Sequence, residues 1–326
     1  MLRAEGVMVG GRADAQRQHR LRFGRYVLSR LLGRRKTITS AALAPIAAAI
    51  AVIAGCSSTP PAAPSPSPSP SQVELPFKGL IGPKGLAVDA AGDVYVINDG
   101  SSRLLKLPAG SDISVGVPLN GLKDPLGLAV GTGGNVYVSD NSDNRVYELP
   151  AGSNTPIELP FIGLKLPFGM AVDAAGDVYV TDYTPRVLKL PAGSNTPVEL
   201  PFTGLKDPLG TAVNDAGDVY VTDCDVPDGR ESRVLKLPAG SNTAVELPFN
   251  GLKCPKGVVV DTAGDVYVAD VGGNIGRVFK LPAGSNTPVE LSFAGLKTPL
   301  GIAVDAADNV YVTDNANHRV LKLRAK

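Results

Sequence analysis

The dipeptide Val-Tyr recurs six times in this 326-residue chain. Its copies begin at Val94, Val136, Val178, Val219, Val266 and Val310. The intervals between copies are 41 to 47 residues, a period typical of solenoids and propellers. What fills one period therefore decides the fold class.

The third unit shows the content of a period. Four short segments, 169–173, 178–182, 186–190 and 197–202, are separated by turn sequences such as Ala-Ala-Gly-Asp and Pro-Ala-Gly-Ser-Asn-Thr. Their β-branched and aromatic residues alternate as in strands, and none has the spacing of an amphipathic helix. The 37 Gly and 28 Pro of the chain fit many short strands joined by turns. Each unit is predicted to be one four-stranded propeller blade.

The two ends of the repeat region complement each other. The last unit stops after its third strand, residues 319–323, and the first unit is preceded by an additional strand, residues 73–77. Pairing of these two strands would complete the last blade and remove the exposed edges of an open array. The sequence therefore predicts an all-β, six-bladed β-propeller over residues 72–326, closed by three strands from one end and one from the other.

The repeat also resembles a known family. The pattern Pro-x-Gly, Ala-Val-Asp, Val-Tyr-Val and Asn-x-Arg-Val resembles the NHL repeat, and residues 317–320, Asn-His-Arg-Val, nearly spell its signature. The run Lys-Leu-Pro-Ala-Gly-Ser-Asn-Thr followed by Glu-Leu-Pro-Phe is similar to the extracellular sensor propeller of mycobacterial receptor Ser/Thr kinases of the protein kinase D type. This resemblance covers residues 72–326 and implies a sensor-like role. The chain has no Gly-rich loop, catalytic-loop Asp or Asp-Phe-Gly motif, so no kinase activity is implied.

The N-terminal region has the features of an export signal. Residues 1–36 carry ten Lys and Arg, residues 37–55 carry no charge, and Ala54-Gly55 precedes Cys56. This order predicts a signal peptide over residues 1–55. It resembles the lipobox of bacterial lipoproteins, which implies diacylation of Cys56. A membrane-spanning helix is the alternative for the uncharged run. Because the basic leader is long, the translation start and the export route stay open.

A stalk is predicted between the signal and the propeller. Residues 56–71 consist almost entirely of Ser, Pro, Ala and Thr after the Cys, a composition that favours extended polyproline conformations. The expected location is the outer face of the cytoplasmic membrane, with the propeller lifted from the lipid.

Charge makes nucleic acid a poor candidate for the partner. Beyond Cys56 the chain carries 22 Lys and Arg against 29 Asp and Glu, so its body is acidic. A phosphate backbone is bound by clustered basic residues. We expect a monomer whose partner is an envelope protein, a peptide or a glycan.

Comparison of the copies indicates which face could bind. The turns between strands one and two and between strands three and four are nearly invariant, whereas the loops between strands two and three differ in every unit. Variable loops on a rigid scaffold favour function, and neutral drift is the alternative explanation of the variation. The residue inside each Pro-x-Gly is expected at the mouth of the central channel, where these six would form a binding rim: Lys84, Leu126, Phe168, Leu209, Lys256 and Leu300. Ordinary packing between blades is the alternative for them.

Two further sets recur in all units and are interpreted as structural. An Asp follows the second strand and an Arg begins the third, which suggests a repeated blade lock. The acidic set is Asp99, Asp140, Asp182, Asp223, Asp270 and Asp314. The basic set is Arg103, Arg145, Arg186, Arg233, Arg277 and Arg319.

Cysteine and histidine are rare after the stalk. Cys224 and Cys254 interrupt the repeat in loops of adjoining blades, and they are predicted either to form a disulfide, as exported proteins permit, or to be two separate thiols. His318 is the single imidazole after the stalk, so a catalytic triad in this region would have to be built on it. Residues 223–229 only faintly resemble a calcium loop.

The sequence therefore favours binding over catalysis. No catalytic residue, metal site or cofactor is predicted. A lyase or hydrolase with a metal in the central channel is the alternative, and a purely structural envelope protein is a third reading.

Overall fold

The computed structural model describes residues 71–119, 121–225, 232–272 and 275–325, and these ranges contain 24 strands and two short 3-10 turns. The predicted signal peptide, Cys56 and the stalk up to residue 70 lie outside them. The first twelve strands are β1 (Gln72–Glu74), β2 (Pro83–Val88), β3 (Val94–Asn98), β4 (Arg103–Leu107), β5 (Val115–Val117), β6 (Pro125–Val130), β7 (Val136–Asp140), β8 (Arg145–Leu149), β9 (Ile157–Glu158), β10 (Met170–Val172), β11 (Val178–Asp182) and β12 (Arg186–Leu190). The others are β13 (Val198–Glu199), β14 (Pro208–Val213), β15 (Val219–Asp223), β16 (Arg233–Leu237), β17 (Val245–Glu246), β18 (Pro255–Val260), β19 (Val266–Gly272), β20 (Ile275–Leu281), β21 (Val289–Glu290), β22 (Pro299–Val304), β23 (Val310–Asp314) and β24 (Arg319–Leu323). The 3-10 turns are Asp99–Ser101 and Asn315–Asn317.

The strands form six antiparallel four-stranded sheets, which are the blades of a β-propeller. Blades 1 to 5 are β2–β5, β6–β9, β10–β13, β14–β17 and β18–β21, and blade 6 is β22–β24 with β1 at its outer edge. The innermost strands of successive blades contact one another, and β22 contacts β2. The ring is therefore closed.

The predicted closure by both chain ends is confirmed. Gln72 pairs with Leu323, Val73 with Lys322 and Glu74 with Leu321 in antiparallel register. Beyond the end of β1, the backbone N–H of Leu75 still donates to Val320 O at 2.9 Å. This pairing supplies the outer strand that the last unit lacks.

The outer strands are shorter than the sequence suggested. The fourth strand of blade 3 was expected over 197–202, but β13 contains only Val198 and Glu199. Pro197 and Pro201 flank this pair, and proline has no N–H to donate to a neighbouring strand. Likewise β1 ends at Glu74 rather than residue 77, because Pro76 interrupts it.

The hydrophobic core lies between the blades. All five residues are buried in the second strand of blades 1, 2, 3, 4 and 6, as are the first six of β19. Tyr179 and Val187 of blade 3 pack with Val219 and Val221 of blade 4, and similar clusters join the other neighbours. Each sheet thus buries both faces against adjacent sheets, which accounts for the Val-Tyr-Val repeat. In the described ranges, no helix has the length and apolarity to cross a membrane.

Candidate functional site

The two faces of the ring are distinguished by hydrogen bonds that recur in each blade. On one face, the Asp or Asn that ends the first turn accepts a hydrogen bond from an alanine N–H of the turn between strands three and four. The donor and acceptor pairs are Ala109–Asp93, Ala151–Asn135, Ala192–Asp177, Ala239–Asp218, Ala283–Asp265 and Ala325–Asn309. We call this the uniform face.

The uniform face also carries a repeated Tyr–Asp–Lys network. In blade 5 the Tyr267 hydroxyl donates to Asp261 Oδ2 at 2.9 Å, and Lys280 Nζ lies 2.5 Å from Asp265 Oδ2 and 5.1 Å from the Tyr267 ring centre. Burial, together with the neighbouring Asp261 carboxylate, raises the pKa of Tyr267 to about 12. These contacts hold the turn in one conformation.

The opposite face contains the loops between strands two and three and the loops between blades. In each blade a backbone N–H of the first loop donates to a carbonyl of the second, as Tyr183 N does to Lys165 O at 2.9 Å. We call this the variable face. It contains the candidate rim and the two cysteines.

The lock predicted from the Asp and Arg sets is present in four blades. In blade 3 Asp182 is fully buried, and its Oδ2 accepts hydrogen bonds from Arg186 Nε at 3.2 Å and Nη2 at 2.8 Å. Its Oδ1 accepts the Lys165 and Thr184 backbone N–H groups. The corresponding ion pairs in blades 4, 5 and 6 are Arg233–Asp223, Arg277–Asp270 and Arg319–Asp314. A buried carboxylate with this many donors fixes the loops of the variable face.

Blades 1 and 2 depart from this lock. In blade 1 the equivalent residue is Asn98 and not Asp99, because the second strand pairs Pro83 with Asn98 as the next blade pairs Pro125 with Asp140. The Asn98 side chain accepts from Ile81 N and donates to Gly79 O. In blade 2 Asp140 still accepts the Lys123 N–H at 2.6 Å, while Arg145 pairs with Glu158. The assignment of Asp99 to the lock was therefore wrong by one position, and Arg103 is exposed.

The six rim residues lie in one closed ring. A Cβ placed on the glycine of each Pro-x-Gly would lie 2.1 to 2.6 Å from the carbonyl oxygen of the rim residue in the next blade. The contacts run from Gly85 to Leu126, Gly127 to Phe168, Gly169 to Leu209, Gly210 to Lys256, Gly257 to Leu300 and Gly301 to Lys84. Glycine is required at these positions because the neighbouring backbone occupies the space of a side chain.

Side-chain hydroxyls join the same ring. Ser139 Oγ accepts from Gly127 N at 2.8 Å and donates to the Phe168 carbonyl at 2.9 Å in the next blade. Thr181 makes the equivalent pair of bonds to Gly169 N and Leu209 O. The backbone of the rim is therefore rigid whatever its side chains are.

The rim side chains differ in exposure. Leu209 and Leu300 are buried, at 5% and 9% of full exposure, whereas Leu126 and Phe168 are half-buried. Leu209 packs with the cysteine pair, and Phe168 lies against the same cluster. Leu209 and Leu300 thus pack as core, whereas Leu126 and Phe168 keep part of their surface in solvent.

The two rim lysines are in different environments. Lys84 Nζ lies 2.8 Å from Asp99 Oδ1 and 2.8 Å from Asp124 Oδ1, so it bridges two loops. Lys256 is partly exposed at its surface, yet the surrounding protein atoms desolvate its ammonium group and lower its pKa, which Asp207 and Asp270 oppose.

Each blade junction on the variable face has its own side-chain contacts. Cys224 of blade 4 and Cys254 of blade 5 form a disulfide with Cα atoms 4.9 Å apart. At the junction of blades 6 and 1, Asn315 Nδ2 donates to Pro83 O at 3.2 Å and His318 Nδ1 accepts the Gly82 N–H at 2.9 Å. His318 is therefore engaged in the closure of the ring.

Sequence reasoning missed two features of this region. The Ser and Thr hydroxyls that join the rim sit one residue before the lock carboxylate, where they look like ordinary strand residues. The Tyr–Asp–Lys network was also missed, although its residues recur with the repeat period. Among the described residues, no three His, Cys, Asp or Glu side chains are grouped so that they could hold a metal ion.

Comparison with known proteins supports the NHL-type propeller. Residues 122–146 and 296–323 match the NHL repeat. No curated protein sequence matches the chain.

Solved structures share the fold at low sequence identity. A propeller of a nidogen–laminin complex is 20% identical with a TM-score of 0.60, covering 68% of this chain and 86% of its own. Virginiamycin B lyase from Staphylococcus aureus is 14% identical with a TM-score of 0.57, covering 78% and 88%. A gluconolactonase from Xanthomonas campestris is 16% identical with a TM-score of 0.63, covering 77% and 88%. Enzymes and a protein-complex component share this architecture, so these similarities establish the fold alone.

Proposed function

We propose that this NHL-type propeller is an exported, lipid-anchored binding module whose variable face captures an envelope protein, peptide or glycan. The observation that carries the proposal is the contrast at the rim. Its backbone is held by the same glycine contacts around the ring and by hydroxyl contacts in blades 2, 3, 4 and 6, while its side chains and junctions differ from blade to blade. A rigid frame that presents different side chains is suited to recognition.

The half-buried part of the rim is the centre of the proposed site. Leu126 and Phe168 are neighbours in the ring, since Gly127 directly after Leu126 contacts the Phe168 carbonyl. When a partner covers apolar surface that was exposed to water, the complex is stabilised by about 25 cal/mol per Å² of that surface. Partly exposed apolar groups held on a fixed backbone are typical of binding anchors.

Two observations support export and anchoring. The disulfide between Cys224 and Cys254 is of a kind that persists outside the reducing cytosol. Cys56 follows a signal-like segment, and a fatty-acid probe should label the wild type but not Cys56→Ser. Labelling of the variant would contradict anchoring at this residue.

The position of the chain ends fits a tethered binding module. Ser71 O accepts a hydrogen bond from Arg324 N at 3.3 Å, and the neighbouring Ala325 N donates to Asn309 in a turn of the uniform face. The chain thus enters the propeller at the uniform face. The variable face is the opposite face of the ring.

The test replaces the two half-buried rim residues. Leu126→Asp with Phe168→Asp should abolish capture of an envelope ligand from solubilised envelope extract, because it places two carboxylates in the apolar contact. The matched control, Ile157→Asp with Val198→Asp, removes two exposed apolar side chains from outer strands and adds the same charge.

The outcome separates binding from folding. Thermal unfolding is measured for all variants, and Leu126→Ser with Phe168→Ser replaces the charged pair if that pair does not fold. Loss of capture by a folded rim variant, with capture kept by the control, supports the proposal. Equal capture by folded rim variant and wild type contradicts it.

A further inference from the structure

Five lysines occupy equivalent positions on the variable face. Each follows Gly-Leu in a loop between blades, and each is exposed. They are Lys123, Lys165, Lys206, Lys253 and Lys297. The backbone N–H of each donates to the buried lock carboxylate of its blade, at 2.6 to 3.1 Å. Their Cα positions are therefore fixed around the ring, and we call them the lysine ring.

Most of the lysine ring is not neutralised. Lys123 pairs with Asp143, but within the described ranges no carboxylate oxygen lies within 4.0 Å of Nζ of the other four. The uniform-face lysines differ, since each pairs with an Asp at 2.5 to 3.6 Å. These pairs are Lys106–Asp93, Lys189–Asp177, Lys236–Asp218, Lys280–Asp265 and Lys322–Asp305. The variable face of this acidic propeller thus presents four exposed lysines that have no ion pair among the described residues.

Unsatisfied polar groups lie on the same face. Asn141 is only 6% exposed, and its Nδ2 has no hydrogen-bond partner among the described residues. The same holds for the buried Thr184 Oγ1, in the equivalent loop of the next blade. Buried polar groups are nearly always paired, and both of these atoms belong to variable-face loops between strands two and three.

An aromatic side chain adjoins the lysine ring. Tyr183 is 47% exposed, and its backbone N–H donates to the carbonyl of Lys165. A ring surface beside an ammonium group can cover the apolar face of a sugar while the ammonium pairs with a carboxylate. The loop of blade 3 that carries this exposed side chain is therefore hydrogen-bonded, through its backbone, to the loop that carries Lys165.

We propose that the variable face binds an acidic polysaccharide, whose repeated carboxylates pair with Lys165, Lys206, Lys253 and Lys297. Tyr183 contacts a sugar ring. This inference rests on the proposed binding role and names its ligand class. Equivalent positions at the blade period match a polymer with repeating charge.

The experiment measures the affinity of the intact propeller for polygalacturonate at several salt concentrations. The variant carries Lys165→Gln, Lys206→Gln, Lys253→Gln and Lys297→Gln. The control carries Ile157→Glu, Val198→Glu, Val245→Glu and Val289→Glu, four exposed outer-strand positions. Both variants lower the net charge by four, so a difference between them reports the position of the charge and not its total.

We expect the lysine variant to bind on the order of tenfold to a hundredfold more weakly than wild type, since each exposed pair contributes modestly. The control should stay within roughly threefold of wild type, because its charges lie away from the ligand. Wild-type binding should weaken with added salt. Tyr183→Ala should reduce affinity where Tyr183→Phe does not, which separates ring contact from charge.

Several outcomes would overturn the inference. These are absence of wild-type binding, equal affinity of wild type and lysine variant, or tighter binding to duplex DNA or to phosphatidylglycerol vesicles than to polygalacturonate. Each of these leaves the binding role standing if Leu126→Asp with Phe168→Asp still abolishes envelope capture. The two proposals therefore fail separately.

Discussion

The two faces of the propeller are built from the same repeat but constrained differently. On the uniform face, each blade uses the same bridge from an Asp or Asn to an alanine N–H. On the variable face, one junction has a disulfide, another has a lysine between two aspartates, and a third has His318. The contacts that repeat in every blade are therefore those that the fold requires, and the contacts that differ between blades are those that can vary without loss of the fold.

Blade 2 shows how strong the constraint on the uniform face is. Where blades 1, 3 and 5 have two aspartates and a lysine, it has Gly131, Asn135 and Glu148. Asn135 Nδ2 donates to Glu148 at 2.7 Å, and the Tyr137 hydroxyl bonds the same carboxylate at 3.2 Å. The carboxylate lies on the third strand instead of in the first turn, and the hydrogen bonds to the tyrosine and to the end of the turn are preserved.

The largest expected effect is on the lock that fixes the loops of the variable face. Asp182→Ala should lower the free energy of unfolding by about 3–5 kcal/mol, because it leaves Arg186 and two backbone N–H groups without their buried acceptor. Glu199→Ala removes the other carboxylate near Arg186, which is 61% exposed at 3.9 Å, and should change stability by less than about 0.5 kcal/mol. Denaturant unfolding of both variants measures this; equal effects would contradict the lock.

The second-largest effect is expected at the junction of blades 4 and 5, which is joined by a disulfide. Cys224→Ala with Cys254→Ala should reduce stability by about 2–4 kcal/mol, because the unfolded chain loses a cross-link over 30 residues. Reductant should lower the melting temperature of the wild type to about that of the variant, and it should leave the melting temperature of the variant unchanged. A reductant effect on the variant would show that the disulfide is not its cause.

A smaller effect is expected in the inner ring. Gly169→Ala should lower stability by about 3 kcal/mol or slightly less, since the new Cβ would lie 2.2 Å from the Leu209 carbonyl. Gly116 has open space around its Cβ position, so Gly116→Ala should be neutral or stabilising by up to about 1 kcal/mol. Comparable melting temperatures for the two variants would argue against a tightly packed rim.

The smallest effect tests the uniform face by alkaline titration. Because the pKa of Tyr267 is raised from its usual value near 10 to about 12, the unfolded chain releases this proton first. Its contribution to stability is thus complete below pH 10 and is lost as pH rises towards 12. Urea unfolding at several pH values should show a decline that is shallower in Tyr267→Phe. An identical decline in the variant would exclude this tyrosine as a contributor.

Most of the fold was predictable from the sequence, because a propeller repeats its core. The Val-Tyr period fixed the blade count, and the unmatched segment at residues 73–77 predicted the closing strand. The exact strand ends were not predictable, since prolines flanking a two-residue strand remove donors that an apolar pattern does not reveal.

The candidate site was predictable only in outline. The Pro-x-Gly pattern predicted that six residues lie in one ring, but it did not reveal which of them are buried. Leu209 packs on the disulfide while Leu126 stays half-buried, although both are leucines in the same motif. The shift from Asp99 to Asn98 was missed because blade 1 has both residues at the end of the strand, and only register distinguishes them.

Hydrogen exchange with and without the envelope ligand tests most directly whether the variable face binds. The account predicts slower exchange in the loops around Leu126, Lys165 and Tyr183, with unchanged exchange in the Asp-Ala-Ala-Gly-Asp turns. Slower exchange confined to those turns, or to the outer strands, would contradict it.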